Sequence, residues 1–185
     1  MELGDDMQYK IDFDKKLYDS INVVAENNEN EQIMLIGGSI VNDHIRVDTN
    51  SFKWFNDEEV LHRDNESIDI NEETLVKSAT NIVKEGYNAI FMIHSHPCKN
   101  AYDDFVYGSL SDDDLKNSKK LLLVCQIQNV KYFDGIATGK HIYFWSIDNE
   151  NLVPIQVPCY VDGELIKTKV PATLSELFSA ISRTK

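Results

Sequence analysis

The sequence predicts an α/β fold, with helices and strands interleaved around a mixed β-sheet. The chain has 185 residues, of which 42% are hydrophobic, enough for one core and short for two. Segments with helical spacing of apolar residues alternate with short apolar runs typical of strands. The run 89–93 lacks polar alternation, as in a central strand covered on both faces. We expect a single domain over residues 1–185, with an N-terminal helix and a C-terminal strand–helix extension.

The sequence pattern of the first half of the chain predicts two helices with a hairpin between them. Apolar residues fall at helical spacing over 14–25, behind an aspartate that can cap the helix. Two strands, 32–41 and 44–49, surround an Asn-Asp turn. We expect a loop over 54–67. The second helix is predicted over 71–85, from an asparagine cap to a glycine stop.

The second half predicts more strands than helices. A strand at 88–96 follows the second helix directly, and a third helix is expected at about 112–122. Further strands are expected over 121–128, 131–139 and 141–147. Apolar residues at helical spacing predict a final helix over 171–182.

Composition and charge exclude several classes of protein. The net charge of -13 repels phosphate groups, so we expect neither nucleic acid nor an anionic membrane as the main partner. The first residues lack the basic start and apolar segment of a secretory signal, and the longest aliphatic stretch is too short to cross a bilayer. Three scattered cysteines describe no disulfide framework. These features predict a cytoplasmic protein; its oligomeric state stays open.

A pair of histidines ends the predicted central strand. Because side chains alternate across a strand, His94 and His96 point to one side and Ser95 to the other. Pro97 cannot donate to a sheet, so both histidines lie where the strand stops. They are either two functionally idle residues or two ligands of a metal ion, and a zinc site needs at least a third protein ligand.

A third ligand is available in the segment that starts the third helix. Ser111 and Asp114 are one helical turn apart, so the carboxylate could complete a His-His-Asp zinc site with one position open, as in catalytic zinc sites. The same spacing is a variant of the capping box, and capping does not exclude metal binding.

A second register of this pattern is Ser109 with Asp112. In the first register Leu110 and Leu115 occupy the positions of a hydrophobic staple, whereas the second places a glycine and an aspartate there. We therefore prefer Ser111 and Asp114, and the alternative stays open.

Together these residues resemble the JAMM motif of MPN (JAB) domain zinc metalloproteases. The match comprises the stretch His94–Pro97, the pair Ser111 and Asp114, and an upstream glutamate. The resemblance extends from about Glu31 to Trp145. It implies an MPN (JAB)-like fold, which is a curved mixed β-sheet flanked by helices. Within the family, the resemblance is to the free-standing prokaryotic proteins.

The glutamate of that family opens a stretch Glu-x-x-x-x-x-x-Gly on an early strand. Glu31 and Gly38 match it, whereas Glu26 and Glu29 are not followed by the strand at that offset. The alternative for Glu31 is a solvated residue at the start of a strand.

The resemblance implies an activity and a role for each residue. His94, His96 and Asp114 would hold Zn²⁺, Glu31 would act as the general base, and Ser111 would stabilise the oxyanion. The substrate would be a peptide or isopeptide bond after the C-terminal tail of a ubiquitin-like protein, so the partner would be such a protein or its conjugate. The alternatives are a non-catalytic MPN-like scaffold and a DNA-repair relative with the same pattern, although the acidic charge argues against DNA.

The segment between the two halves of the motif, Cys98–Leu110, is longer than is common in that family. Its aromatic residues Tyr102, Phe105 and Tyr107 could shape a cleft or pack onto the domain itself. Cys98 is either a small loop residue, an additional ligand of the metal or a redox-sensitive neighbour of it.

Overall fold

A computed structural model of the chain describes residues 9–63, 68–96, 108–147 and 154–166. Within these ranges it contains helices α1 (Lys15–Asn27), α2 (Glu72–Lys84) and α3 (Asp112–Ile127). The strands of the same ranges are β1 (Lys10–Phe13), β2 (Ile33–Val41), β3 (His44–Trp54), β4 (Val60–Arg63), β5 (Ile68–Ile70), β6 (Ala89–Ser95), β7 (Lys131–Ala137), β8 (Ile142–Ile147), β9 (Pro154–Val157), β10 (Cys159–Val161) and β11 (Glu164–Leu165).

Nine of these strands form one mixed sheet in the order β11-β10-β1-β3-β2-β6-β7-β8-β9. β1 is parallel to both of its neighbours and β6 is parallel to β7, whereas the other pairs are antiparallel. β4 and β5 form a separate two-stranded ribbon. The expected mixed α/β arrangement is therefore confirmed. None of the helices in the described ranges combines the length and apolar character needed to cross a bilayer.

The helices cover both faces of the sheet. α1 contributes Leu17 and Ile21 to a cluster on one face, which includes Phe91 of β6. α2 and α3 contribute to a second cluster on the other face, which includes Met92. Every residue of β6 is buried, so the prediction of a central strand covered on both faces is confirmed.

Local sequence signals placed α1, α2 and the hairpin correctly. The Asp14 side chain accepts a hydrogen bond from Leu17 N at 3.1 Å, and Asn71 accepts one from Thr74 N at 3.2 Å, so both helices have the predicted caps. Asn42 adopts a positive φ of 59° in the turn between β2 and β3, a conformation that asparagine tolerates better than most residues.

The expected strand over 121–128 was wrong, because these residues continue α3 to Ile127. Leu121, Leu122 and Cys125 are buried in the cluster that contains α2, while Leu123 is 54% exposed. This spacing follows a helical face rather than the alternation of a strand. A short apolar run cannot by itself distinguish the two structures.

The expected loop over 54–67 was also wrong in part. β3 continues through Trp54, and Val60–Arg63 pairs with β5. Ile68 and Ile70 pack in the cluster with α2, with Val60 against it. Dense charges around these few apolar residues concealed the pattern of a strand.

Three predictions concern residues outside the described ranges. They are the C-terminal helix over 171–182, the role of the aromatic residues in 98–107, and the role of Cys98. Cys125 and Cys159, which the structure does describe, are buried free thiols.

Candidate metal centre

The two histidines lie side by side at the end of β6. His94 is within the strand and fully buried, whereas His96 follows the strand and its side chain is 12% exposed. Their Nε2 atoms are 3.1 Å apart. Alternation along the strand thus places the two imidazole rings next to each other on one side, as the spacing predicts.

The third member of the cluster comes from the first turn of α3. Ser111 caps this helix: its Oγ accepts a hydrogen bond from Asp114 N at 3.1 Å, and its N donates one to Asp114 Oδ2 at 2.7 Å. The predicted capping box is therefore confirmed. The box fixes the carboxylate so that Oδ1 lies 3.1 Å from His94 Nε2 and Oδ2 lies 3.7 Å from His96 Nε2.

The structure distinguishes the two registers of the serine–aspartate pattern. Asp112 is exposed to solvent at the start of α3, and Ser109 is buried before it. Asp114, by contrast, lies beside both histidines. The first register is the one that brings a carboxylate to the histidine pair.

The three side chains can hold one metal ion. One ligand atom from each of His94, His96 and Asp114 lies within 4.8 Å of the others. Ligand atoms on a tetrahedral cation with bonds of about 2.0–2.1 Å lie roughly 3.3 Å apart, close to the observed 3.1 Å between the two Nε2 atoms. Two imidazoles and one carboxylate are a donor set that divalent transition metals accept, so the residues present fit such an ion.

The charges around His94 favour a cation at this point. Burial alone would lower the pKa of His94, but the charge of Asp114 and the hydrogen bond to it, with the charges of Asp134 and Glu31, raise that pKa to about 10. Burial would raise the pKa of Asp114, yet the charge and hydrogen bond of His94 bring it below its ordinary value. In the absence of a metal, a proton on His94 therefore supplies the positive charge that these carboxylates attract.

Glu31 lies at the edge of the ligand cluster. It is 3% exposed, and its Oε1 is 3.6 Å from His96 Nε2. The backbone that carries it is tied to the histidine strand: Ser95 N donates to Gln32 O, and Ser95 Oγ accepts from Gln32 N, both at 2.7 Å. The alternative residues Glu26 and Glu29 are exposed. The expected glutamate is therefore the one that the fold brings to the histidines.

Sequence reasoning missed one acidic residue next to this cluster. Asp134 on β7 is fully buried, and its Oδ1 lies 3.7 Å from His94 Nδ1. A signal was present in the sequence, since a single carboxylate interrupts the strand-like run Lys131–Ala137. A buried carboxylate requires a hydrogen-bond donor or a positive charge, so such an interruption predicts a contact of this kind.

Comparisons with known proteins identify no family for this chain. No protein-family model matches it. No curated protein sequence matches it either. Among solved structures, it is similar to a solution structure of a protein from Salinibacter ruber, at 14% sequence identity and a TM-score of 0.39, with 90% of this chain and 93% of that chain covered. This likeness is too distant to carry an argument about fold or function.

Proposed function

We propose that this chain is a zinc-dependent metallopeptidase or isopeptidase that resembles the MPN (JAB) family. It hydrolyses a peptide or isopeptide bond after the C-terminal tail of a ubiquitin-like protein. The observation that carries this proposal is one cluster: the ligand atoms of His94, His96 and Asp114 lie within 4.8 Å of one another, and the carboxylate of Glu31 is 3.6 Å from His96.

Within the part of the chain that the structure describes, the cluster offers three protein ligands, which supports a catalytic rather than a structural metal. Structural zinc sites usually have four protein ligands, whereas catalytic sites have three and leave a position open. His94, His96 and Asp114 would hold the ion. Zinc in such a site acts as a Lewis acid and lowers the pKa of water to about 7.

Glu31 serves as the general base in this proposal. A base must lie within hydrogen-bond reach of the proton that it takes, directly or through one water. The Glu31 carboxylate borders the ligand cluster, so it can accept a proton from the attacking water and later deliver it to the departing amine. Its burial shields this proton transfer from bulk solvent.

Ser111 stabilises the developing charge on the substrate carbonyl oxygen. Its Oγ already accepts the hydrogen bond from Asp114 N, so the hydroxyl proton can be donated in another direction. Such donors contribute about 3 kcal/mol of transition-state stabilisation in other hydrolases. The same residue therefore caps α3, orients Asp114 and serves the reaction.

The substrate class and the finer fold are supported by the resemblance of the motif. A mixed sheet with helices on both faces is compatible with an MPN-type arrangement. An extended peptide tail can bind to a strand edge by main-chain hydrogen bonds and continue from there towards the ligand cluster.

The proposal is tested with the purified protein comprising residues 1–185. Its zinc content is measured by elemental analysis, and a panel of ubiquitin-like fusion proteins is incubated with it, with and without a chelator. We expect about one zinc per chain and cleavage that stops with the chelator and returns when zinc is added back. A metal-free protein with no zinc affinity would defeat the proposal, and zinc binding without cleavage of any fusion would favour the scaffold alternative.

A further inference from the structure

We propose that Asp134 is a positioning residue of the metal centre, whose carboxylate holds the His94 ring by its Nδ1 atom and so aims Nε2 at the metal. The inference rests on the proposed function, since it concerns a ring that serves as a ligand. It adds a residue from β7 that the motif does not contain.

The register of the sheet places Asp134 behind the ring. β6 and β7 are parallel, with Met92 opposite Asp134 and His94 opposite Ile136. Asp134 and His94 are therefore diagonal neighbours on one face of the sheet. The two nitrogens of the ring meet different carboxylates: Nδ1 lies 3.7 Å from Asp134 Oδ1, and Nε2 lies 3.1 Å from Asp114 Oδ1.

This arrangement selects the state of the ring that a ligand needs. A neutral imidazole that carries its proton on Nδ1 presents the lone pair of Nε2. A carboxylate near Nδ1 favours that tautomer, restrains the ring and makes it a stronger ligand. A small closure of the 3.7 Å separation between His94 Nδ1 and Asp134 Oδ1 would complete a hydrogen bond.

The carboxylate is itself held in place. Asp134 Oδ1 accepts a hydrogen bond from Gly135 N at 3.1 Å, and Oδ2 contacts the Ser118 hydroxyl and lies 3.3 Å from Tyr132 OH. Ser118 Oγ is also hydrogen-bonded to the backbone oxygen of Asp114 at 2.8 Å. Ser118 therefore links the residue behind His94 to the turn of α3 that supplies the carboxylate ligand.

The burial of Asp134 supports a specific role. Its side chain is fully buried in the sheet beside His94. An uncompensated carboxylate in such a place is unfavourable. The Nδ1–H of the His94 ring is a donor that can compensate this carboxylate.

The test compares zinc affinity in wild-type protein and Asp134→Asn, by competition with a chromophoric chelator. The amide keeps the volume of the side chain, but its NH₂ group can face Nδ1 and favour the opposite tautomer. We expect zinc affinity to fall by about 10–100-fold. In the zinc-loaded protein, NMR should detect a slowly exchanging Nδ1 proton of His94 in wild type that exchanges rapidly in the variant. A merely structural role would not move this signal.

Ser78→Ala is the matched control, because it removes a buried hydroxyl of α2 that, like Ser118 Oγ, bonds to the backbone oxygen four residues earlier. Its zinc affinity should not change. Circular dichroism verifies that each variant folds; if Asp134→Asn does not, Ser118→Ala replaces it, with a smaller loss of affinity expected. The inference would be overturned if a folded Asp134→Asn, or its folded replacement, kept wild-type zinc affinity and an unchanged Nδ1 signal. The proposed function would still stand in that case. If wild-type protein bound no zinc, the proposed function would fail first and the inference with it.

Discussion

The carboxylate of Glu31 lies 3.6 Å from Nε2 of His96, although Glu31 precedes β2 and His96 follows β6. The two strands are antiparallel neighbours, with Ile33 opposite His94, so the start of one meets the end of the other. A register shift of one residue would send Glu31 to a different neighbour. Strand pairing therefore positions the acid beside the ligands.

Glu31→Gln should abolish most of the hydrolysis while zinc stays bound. Glutamine keeps the shape of the side chain but cannot accept a proton at neutral pH, and general bases contribute about 10²–10⁴-fold. Elemental analysis and cleavage of the preferred fusion protein measure the two properties separately. Glu29→Gln, at an exposed position, is the control and should cleave normally. Wild-type cleavage by Glu31→Gln would refute its role as the base.

Asp114→Ala should lose both the metal and the activity. The substitution removes one of three ligands and also the side chain that accepts the hydrogen bond from Ser111 N. His94→Ala should behave in the same way. Asp112→Ala changes an exposed aspartate of the same helical turn and should keep the wild-type zinc content. If Asp112→Ala lost zinc and Asp114→Ala retained it, the assignment of the carboxylate ligand would be wrong.

Ser111→Ala should reduce stability and activity by separate amounts. Loss of the cap should lower the free energy of unfolding by about 1 kcal/mol, and loss of the oxyanion donor should lower kcat by about 10²–10³-fold. Asn71→Ala removes the cap of α2 and should cost similar stability with unchanged kcat. Urea unfolding measures the free energy of unfolding of both variants, and steady-state kinetics measure their kcat. Equal kcat in the two variants would leave Ser111 with a capping role alone.

Zinc binding at pH 7 should release about one proton from His94. The pKa of His94 in the metal-free protein is raised to about 10, so the ring is protonated at pH 7 and must lose that proton to become a ligand. The apparent affinity should therefore rise with pH and fall as the solution is acidified. Titration calorimetry in two buffers of different ionisation enthalpy measures the release. An observed enthalpy independent of the buffer would contradict the prediction.

Leu121→Ala should lower the free energy of unfolding by about 2–5 kcal/mol. Leu121 is fully buried beside α2, whereas Leu123 on the same helix is 54% exposed. Leu123→Ala should change stability by no more than about 0.5 kcal/mol. Equal losses in the two variants, measured by chemical denaturation, would show that this segment is not packed as the structure has it.

Some features of the fold were predictable because they depend on residues close together in the sequence. The caps Asp14, Asn71 and Ser111 each receive a hydrogen bond from a backbone N–H three residues ahead, so a short window contains the whole signal. The run 121–128 was mistaken for a strand because its structure depends on packing against α2, which lies far away in the sequence. The ribbon of β4 and β5 was missed for a different reason, because dense charges around its few apolar residues concealed the pattern of a strand.

The sequence by itself determined the types and local geometry of the ligands. Alternation along β6 puts His94 and His96 on one side, and one helical turn joins Ser111 to Asp114. Only the tertiary structure decided that Glu31 and Asp114 reach the histidines and that Asp134 lies behind His94. Local spacing follows from backbone geometry, but distances between separate segments depend on the order of the strands and the packing of helices on the sheet.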